Sequence, residues 1–172
     1  VEKERPFWEK VGKTGKIGMP VFPFLSLEDN PDNARLRSEI NAQQKFFQAP
    51  LPFTTRPTKR PQRLRIGYFS SDYKEHPVAY LISKLLEQHN RETFQVFGYS
   101  LHENSQSEVR QRLINAFDYF TEVEGLSDRE VALRARQDNI DIAVDLMGYT
   151  KNARTGIFAF RAAPILSLIH IS

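Results

Sequence analysis

The sequence predicts an α/β protein in which helices cover both faces of a Rossmann-like parallel sheet. Three observations support this fold class. From residue 63 onward, short apolar runs of strand character alternate with segments of helical period. Polar loops or turn residues separate these runs, as expected where strands and helices meet. The resulting order, β, α, β, α, short β, α, β, α, favours parallel strands joined by right-handed crossovers.

Composition excludes several function classes. The chain has 172 residues, 40% hydrophobic content, no cysteine and a net charge of +3. No run approaches the roughly 18 apolar residues that a membrane span requires, and we expect neither a span nor a signal peptide. The absence of cysteine is compatible with a reducing compartment, so we expect a cytoplasmic protein. A basic cluster lies in a proline-rich stretch without interleaved aromatic residues, and we therefore expect no nucleic-acid partner. The cluster consists of Arg56, Lys59, Arg60, Arg63 and Arg65.

The first part of the chain reads as an approach to the α/β region. The stretch from Met19 to Leu27 contains two prolines among apolar residues, which predicts an extended strap. Asp29 or Asn30 can cap a helix that runs from Pro31 to about Gln48. Four prolines between residues 49 and 62 then predict a stiff connector.

The α/β region opens with a strand that begins at Arg63 and ends in a polar loop from Ser70 to His76. A helix from Pro77 to His89 and a strand from Thr93 to Leu101 follow. Helical spacing predicts that this helix buries one apolar face. That face carries Val78, Leu81, Ile82, Leu85 and His89.

The later elements continue the alternation. Ser127 and Glu130 match a capping box, in which each side chain satisfies a backbone amide at the start of a helix. The predicted elements are a helix over Glu108 to Phe117, a short strand at Tyr119 and Phe120, a helix from Ser127 to about Asn139, a strand over Ile140 to Met147 and a helix over Thr155 to Arg161.

Two loops are predicted to share one ligand. In doubly wound folds, ligands bind outside the carboxyl ends of the strands, where the strand order reverses. If the first and fourth strands are neighbours, the loop that carries His76 faces the loop that starts at Gly148. No glycine-rich dinucleotide motif, P-loop, paired metal-ligating histidines or nucleophile elbow is present in the sequence. We therefore expect no metal site and no cofactor.

Several polar residues at this edge are candidates for binding or chemistry. His76 precedes a helix start, where it either caps the helix or, kept neutral by the helix amino end, accepts a hydrogen bond or a proton from a ligand. Asp145 either orders the loop after the fourth strand, which position favours, or faces the crevice. Hydroxyl and cationic groups suited to a phosphate or a sugar follow in the same loop. They belong to Tyr149, Thr150, Lys151 and Arg154.

Several blocks of the sequence, in this order and spacing, resemble the catalytic region of the protein O-GlcNAc transferase family, including its bacterial members and the plant SPINDLY branch. The resemblance covers roughly residues 20 to 165. The blocks are Leu64 to Tyr73 with His76 and Pro77, Ile140 to Leu146 with Gly148 to Thr150, Phe158 to Arg161, and Ala163 to Ile165.

The resemblance implies a metal-independent, inverting glycosyltransferase of the two-lobe GT-B kind, which moves N-acetylglucosamine from UDP-GlcNAc to serine or threonine hydroxyls of proteins. Its partners would be a nucleotide sugar and protein acceptors. His76 matches a histidine at the family's active site and is the candidate catalytic residue. The positions of Asp145, Gly148, Tyr149 and Thr150 match the border of the same cleft and are candidate substrate-binding residues.

The resemblance also implies a domain organisation. Residues 1–62 correspond to the linker and helix that follow tetratricopeptide repeats, and residues 63–165 to the amino-terminal catalytic lobe. Residues 166–172 match nothing in the family, so we expect a truncated or foreign tail and a missing carboxyl-terminal lobe. Met147 departs from the small polar residue that the family usually has before the glycine.

Two alternatives remain open. A non-catalytic doubly wound domain would bind a peptide or a small anion at the same crevice. A transferase that uses another donor, such as GDP-fucose, would share this lobe, because donor choice lies mainly in the second lobe of the family.

Overall fold

A computed structural model describes residues 21–24, 26–46, 51–52, 61–102 and 106–168. The chain divides into two compact units, residues 1–49 and residues 50–172. Most of the predicted proline-rich connector, including Arg56, Lys59 and Arg60, lies outside the described residues. In the described segments, no helix has the length and apolar character needed to cross a bilayer.

Within its described residues, the first unit contains two helices, α1 (Val21–Phe24) and α2 (Pro31–Lys45). The predicted extended strap was wrong at α1. Pro23 is tolerated there because it lies in the first turn, where a backbone N–H has no helical partner. For α2 the predicted cap is confirmed, since the side chain of Asn30 accepts from the amide of Asn33 at 3.1 Å.

The second unit is built on a single sheet of five parallel strands, which confirms the predicted fold class. The strand order is β3-β2-β1-β4-β5, so the first and fourth strands are neighbours as predicted. The strands are β1 (Leu64–Ser70), β2 (Phe94–Ser100), β3 (Tyr119–Glu122), β4 (Ile142–Asp145) and β5 (Ile165–Leu168).

Among residues 61–102 and 106–168, four helices cover the sheet: α3 (Pro77–Glu87), α4 (Glu108–Ala116), α5 (Asp128–Gln137) and α6 (Gly156–Ala159). Successive strand side chains point to opposite faces, so each strand contributes to two cores. Tyr68 packs in the core formed with α3 and α4, whereas the adjacent Phe69 packs in the core formed with α5 and α6. The capping box of Ser127 and Glu130 at the start of α5 is confirmed.

The buried face of α3 differs from the predicted one. Leu81 is 73% exposed and Leu85 is 44% exposed, although the apolar pattern placed both on the buried face. The helix is rotated so that smaller residues approach the sheet. Ser83 is among them, and burying its hydroxyl is feasible because it donates to the carbonyl of Ala79. The buried positions are Ala79, Ile82, Ser83 and Leu86.

One strand was not predicted. Ile165–Leu168 forms β5 at the sheet edge and pairs in parallel with β4. Residues 166–168 of the expected tail therefore lie in this strand, and residues 169–172 lie outside the described part of the chain. A run of four residues is too short for its hydrophobic periodicity to predict a strand. Pairing with β4, rather than the local sequence, makes this segment a strand.

Candidate functional site

The candidate site lies where β1 and β4 end at the carboxyl edge of the sheet. The two strands are in register, with Phe69 opposite Asp145. One residue later, the amide of Leu146 donates to the carbonyl of Phe69 at 3.1 Å. The loop after β1 and the loop after β4 therefore leave the sheet side by side.

Three hydrogen bonds join these two loops. The amide of Ser71 donates to the Met147 sulfur at 3.3 Å, and the hydroxyl of Ser70 donates to the same sulfur at 3.4 Å. The hydroxyl of Ser71 donates to the carbonyl of Asn152 at 2.8 Å. Ser70, Ser71 and Met147 are all buried, so the two bonds to the sulfur are shielded from water, whereas the bond to Asn152 is partly buried. The structure thus brings together two loops that lie more than seventy residues apart.

His76 is the residue immediately before α3. Its Nδ1 accepts from the amide of Val78 at 3.3 Å, which satisfies a backbone donor at the start of the helix. A carboxylate oxygen of Asp72 lies 3.6 Å from the same nitrogen. The imidazole is 39% exposed, so the ring remains accessible while its inner nitrogen is engaged. The capping interpretation of His76 therefore holds, and the bond to Val78 engages only one of the two ring nitrogens.

Asp145 orders the loop that follows β4. It is 7% exposed, and its carboxylate accepts from the amide of Met147 at 2.8 Å. A side chain that accepts from a backbone amide two residues later forms an Asx turn, which pre-shapes the following backbone. This is the first of the two interpretations of Asp145 from the sequence.

The turn from Met147 to Thr150 lies at the carboxyl edge of the sheet, directly after β4. Both the amide and the hydroxyl of Thr150 donate to the carbonyl of Met147, at 3.2 and 2.8 Å. Gly148 has φ of +57°, a left-handed conformation that favours glycine. Tyr149 is 39% exposed at the tip. The hydrogen bonds between Thr150 and Met147 thus fix the backbone of the turn, and the ring of Tyr149 is exposed on it.

The polar contacts described between the two loops run through Ser70, Ser71, Met147 and Asn152, whereas those of His76 lie within its own loop and α3. The structure therefore places His76 and the Gly148 to Thr150 turn on adjoining loops. The hydrogen bonds that join these loops are made by neighbouring residues, not by His76 or by the turn itself.

Arg154 has a different surrounding from the one predicted. Its guanidinium donates to the Asp128 carboxylate at 2.8 Å and to the carbonyls of Val123 and Leu126 at 3.1 and 2.5 Å. The side chain therefore ties the loop after β4 to the turn between β3 and α5. Lys151 is exposed in the same loop.

Arg110 supports the His76 loop and was not identified from the sequence. Its side chain is 1% exposed and donates to the Tyr73 carbonyl at 2.9 Å and to the Glu122 carboxylate at 2.6 Å. It also lies over the ring of Phe120, 5.3 Å from the ring centre. A signal was present: Arg110 lies three residues before Leu113, on the apolar stripe of α4.

Tyr73 fixes the same loop from inside. The ring is fully buried, and its hydroxyl donates to the carbonyl of Tyr68 at 2.9 Å. Burial raises the pKa of Tyr73 well above its ordinary value, and the nearby Tyr68 adds to this effect. The phenol therefore stays protonated and keeps its role as a donor.

The described residues contain no group of three histidine, aspartate or glutamate side chains placed to hold a metal ion.

Comparison with known proteins identifies the family. The model of glycosyl transferase family 41 matches residues 37–170. The chain is 41% identical over 155 residues to "Probable UDP-N-acetylglucosamine--peptide N-acetylglucosaminyltransferase SEC" of Arabidopsis thaliana, which covers 87% of the chain and 16% of that relative. It is 40% identical over 105 residues to "UDP-N-acetylglucosamine--peptide N-acetylglucosaminyltransferase" of Caenorhabditis elegans, covering 60% of the chain and 9% of that relative.

A solved structure agrees. The K341M mutant of Thermobaculum terrenum O-GlcNAc transferase matches with a TM-score of 0.69 at 32% identity, over 78% of this chain and 26% of that one. The sheet corresponds to a Rossmann-like half of a GT-B fold. The chain thus spans about a quarter or less of the length of these relatives. With most of its residues matched by one family model and its sheet matched by a solved relative, the chain belongs to glycosyl transferase family 41.

Proposed function

We propose that this chain is the amino-terminal catalytic lobe of a glycosyltransferase that moves N-acetylglucosamine from UDP-GlcNAc to serine or threonine hydroxyls of proteins. The observation that carries the proposal is the junction of Ser71 with Met147 and Asn152. It joins the loops after β1 and β4 at the strand-order switch of a family 41 lobe, which is where doubly wound folds bind their ligands.

The proposed reaction is an inverting displacement at the anomeric carbon. The acceptor hydroxyl oxygen forms the new glycosidic bond, the bond to the pyrophosphate breaks, UDP leaves with the bonding electrons, and the acceptor proton passes to a phosphate oxygen of the departing UDP or to solvent. The growing negative charge on UDP needs stabilisation, for which helix amino ends and hydrogen-bond donors are suited. Metal independence is part of the proposal and comes from the family resemblance.

His76 has the leading role in this lobe. It lies at the amino end of α3 with its ring accessible and its Nδ1 occupied by the Val78 amide. We assign it to the active site, where it orients the sugar or the acceptor.

The turn after β4 borders the substrate. Tyr149 is exposed at its tip, and Gly148 and Thr150 define its backbone path. Asp145 contributes indirectly, because its carboxylate accepts from the Met147 amide and so fixes the start of the turn. These four residues are the proposed substrate-binding set in this lobe.

The proposal includes a second lobe, protein acceptors and a cytoplasmic location. A SPINDLY relative of Arabidopsis thaliana, 32% identical, is likewise named as a probable UDP-N-acetylglucosamine–peptide N-acetylglucosaminyltransferase. Donor choice is therefore assigned to UDP-GlcNAc, with GDP-fucose as the competing donor to be tested.

The experiment uses the longest polypeptide that carries this sequence, incubated with acceptor peptides and radiolabelled UDP-GlcNAc or GDP-fucose, with and without EDTA. We expect label from UDP-GlcNAc on serine or threonine, unchanged by EDTA. His76→Ala should lower turnover about 100-fold or more while the fold is retained. His102→Ala is the matched control, because His102 pairs with Glu124 at 3.4 Å and is outside the proposed site. Peptide binding without transfer of either label would favour the non-catalytic alternative.

A further inference from the structure

Two polar groups compete for one nitrogen of His76. The amide of Val78 lies 3.3 Å from Nδ1 and donates to it, while a carboxylate oxygen of Asp72 lies 3.6 Å from the same atom. An amide donor requires a lone pair on Nδ1, whereas a carboxylate requires a proton there. The two neighbours therefore match different protonation states of the ring.

The amide determines where the neutral ring carries its proton. Because Nδ1 accepts from Val78, the single proton of the neutral imidazole is on Nε2. If the ring takes up a second proton, Nδ1 also becomes a donor and loses the amide. Asp72 then provides the acceptor. In both states the other ring nitrogen, Nε2, is a donor.

Asp72 is held in place for this role. Its amide donates to the hydroxyl of Ser70 at 3.0 Å, and its side chain is 13% exposed. Lys74 lies 3.6 Å from the other carboxylate oxygen. The neighbouring carboxylate, that of Glu75, is bonded to the hydroxyl of Tyr80. Asp72 is therefore the carboxylate of this loop that faces the ring of His76.

We propose that His76 works as a hydrogen-bond donor through Nε2, toward a phosphate, carbonyl or hydroxyl oxygen of the bound substrate, and that Asp72 is its positioning residue. His76 then does not remove the acceptor proton, because Nε2 carries a proton in both states and Nδ1 points at the helix. The identity of the substrate rests on the proposed function, whereas the protonation pattern of the ring does not.

The ring can be examined directly. In the chain labelled with ¹⁵N-histidine, two-bond correlations between ring nitrogens and carbons identify the neutral tautomer of each histidine, and His76→Gln assigns the His76 signal. We expect the Nε2–H tautomer to predominate for His76. A predominant Nδ1–H tautomer would overturn the inference, whether or not the protein transfers a sugar.

Activity separates a donor from a base. A glutamine at position 76 supplies an N–H near the position of Nε2 but cannot accept a proton. We therefore expect the kcat of His76→Gln to exceed that of His76→Ala by about 10-fold or more. Equal activity of the two variants, both with native folds by circular dichroism, would contradict the donor role.

Asp72→Asn tests the positioning role. The variant retains a polar side chain but lacks the charge that matches a protonated ring, so kcat should fall about 10-fold at the acid end of the pH profile, where the ring carries two protons, with little change in KM. Glu75→Gln is the matched control, since it removes a charge from the same loop without facing Nδ1. A kcat that falls equally in both variants, or in neither, would remove Asp72 from this role. Absence of transfer by the unmodified protein would refute the proposed function and leave the tautomer result standing.

Discussion

The backbone amide of Ser71 donates to the thioether sulfur of Met147 over 3.3 Å, and this contact joins the two loops of the candidate site. The same sulfur accepts from the hydroxyl of Ser70. Thioether sulfur is a weak acceptor, yet two buried donors depend on it here. The sulfur of Met147 supplies the acceptor at this position.

Met147→Leu should therefore destabilise the chain by about 1–2 kcal/mol, although it nearly conserves volume, because two buried donors lose their acceptor. Chemical denaturation measures the change. Met147→Asn replaces the sulfur with an amide oxygen that can accept from Ser71. This variant should therefore recover part of the stability that Met147→Leu loses. A leucine variant as stable as the unmodified chain would show that the sulfur contacts contribute nothing.

Gly148→Ala should lower the free energy of unfolding by about 1 kcal/mol, because Gly148 has φ of +57° and a β-carbon is strained in that region. Steric overlap is not the cause, since the nearest heavy atom to an added β-carbon is 3.7 Å away.

Gly125→Ala is the matched control for Gly148→Ala. A β-carbon at Gly125 meets nothing within 4 Å, and its φ lies outside the left-handed range. The control should leave the thermal midpoint unchanged or raise it slightly, because alanine restricts the unfolded chain. Equal destabilisation in both variants would contradict the conformational explanation.

Arg110→Met should destabilise the chain by about 3 kcal/mol, because Arg110 is buried and bonds the carbonyl of Tyr73 and the carboxylate of Glu122. Loss of the Tyr73 contact should also loosen the His76 loop and lower activity. Arg112→Met removes the neighbouring surface pair with Glu87 and should change stability far less, because solvent screens an exposed ion pair. Urea denaturation of both variants tests the difference, and similar losses would refute the buried role of Arg110.

Stability should fall in mild acid because of His89. Its Nε2 lies 2.8 Å from the Tyr68 hydroxyl, and burial, reinforced by Arg91 and opposed by Asp118, lowers the pKa of His89 below 6.5. The folded state therefore binds this proton less readily than the unfolded state does. The stabilisation is complete above pH 6.5 and declines as the pH falls through the lowered value.

Measurement of the unfolding free energy between about pH 5 and 8 tests this expectation. The variant His89→Gln lacks the titrating group and should show a flatter profile over that range. An unchanged slope in the variant would assign the acid sensitivity to other groups.

Local signals in the sequence were sufficient for much of the fold. The capping box of Ser127 and Glu130, the cap at Asn30 and the alternation of strand and helix patterns each depend on neighbours in sequence, and the structure confirms them. The proximity of the loops after β1 and β4 also followed from the strand order. The individual bonds between these loops did not, because Met147 offers no recognisable polar signal.

Other features depended on tertiary context. Helical periodicity places Leu81 and Ile82 equally well on a buried face, and only packing on the sheet decides which is buried. The edge strand β5 forms because its backbone pairs in parallel with β4. The pairing of Asp72 with His76 depends on the path of a loop that carries no repeating pattern.

The sequence alone determined the α/β class and the order of the elements from β1 to α6, and it predicted the edge at which a ligand would bind, because these follow from periodicity, capping and chain connectivity. Tertiary structure alone decided which face of α3 is buried, that Arg110 and Arg154 serve as supports, and which nitrogen of His76 caps the helix. The physical reason is that such assignments depend on distances between groups far apart in the chain, which local sequence does not specify.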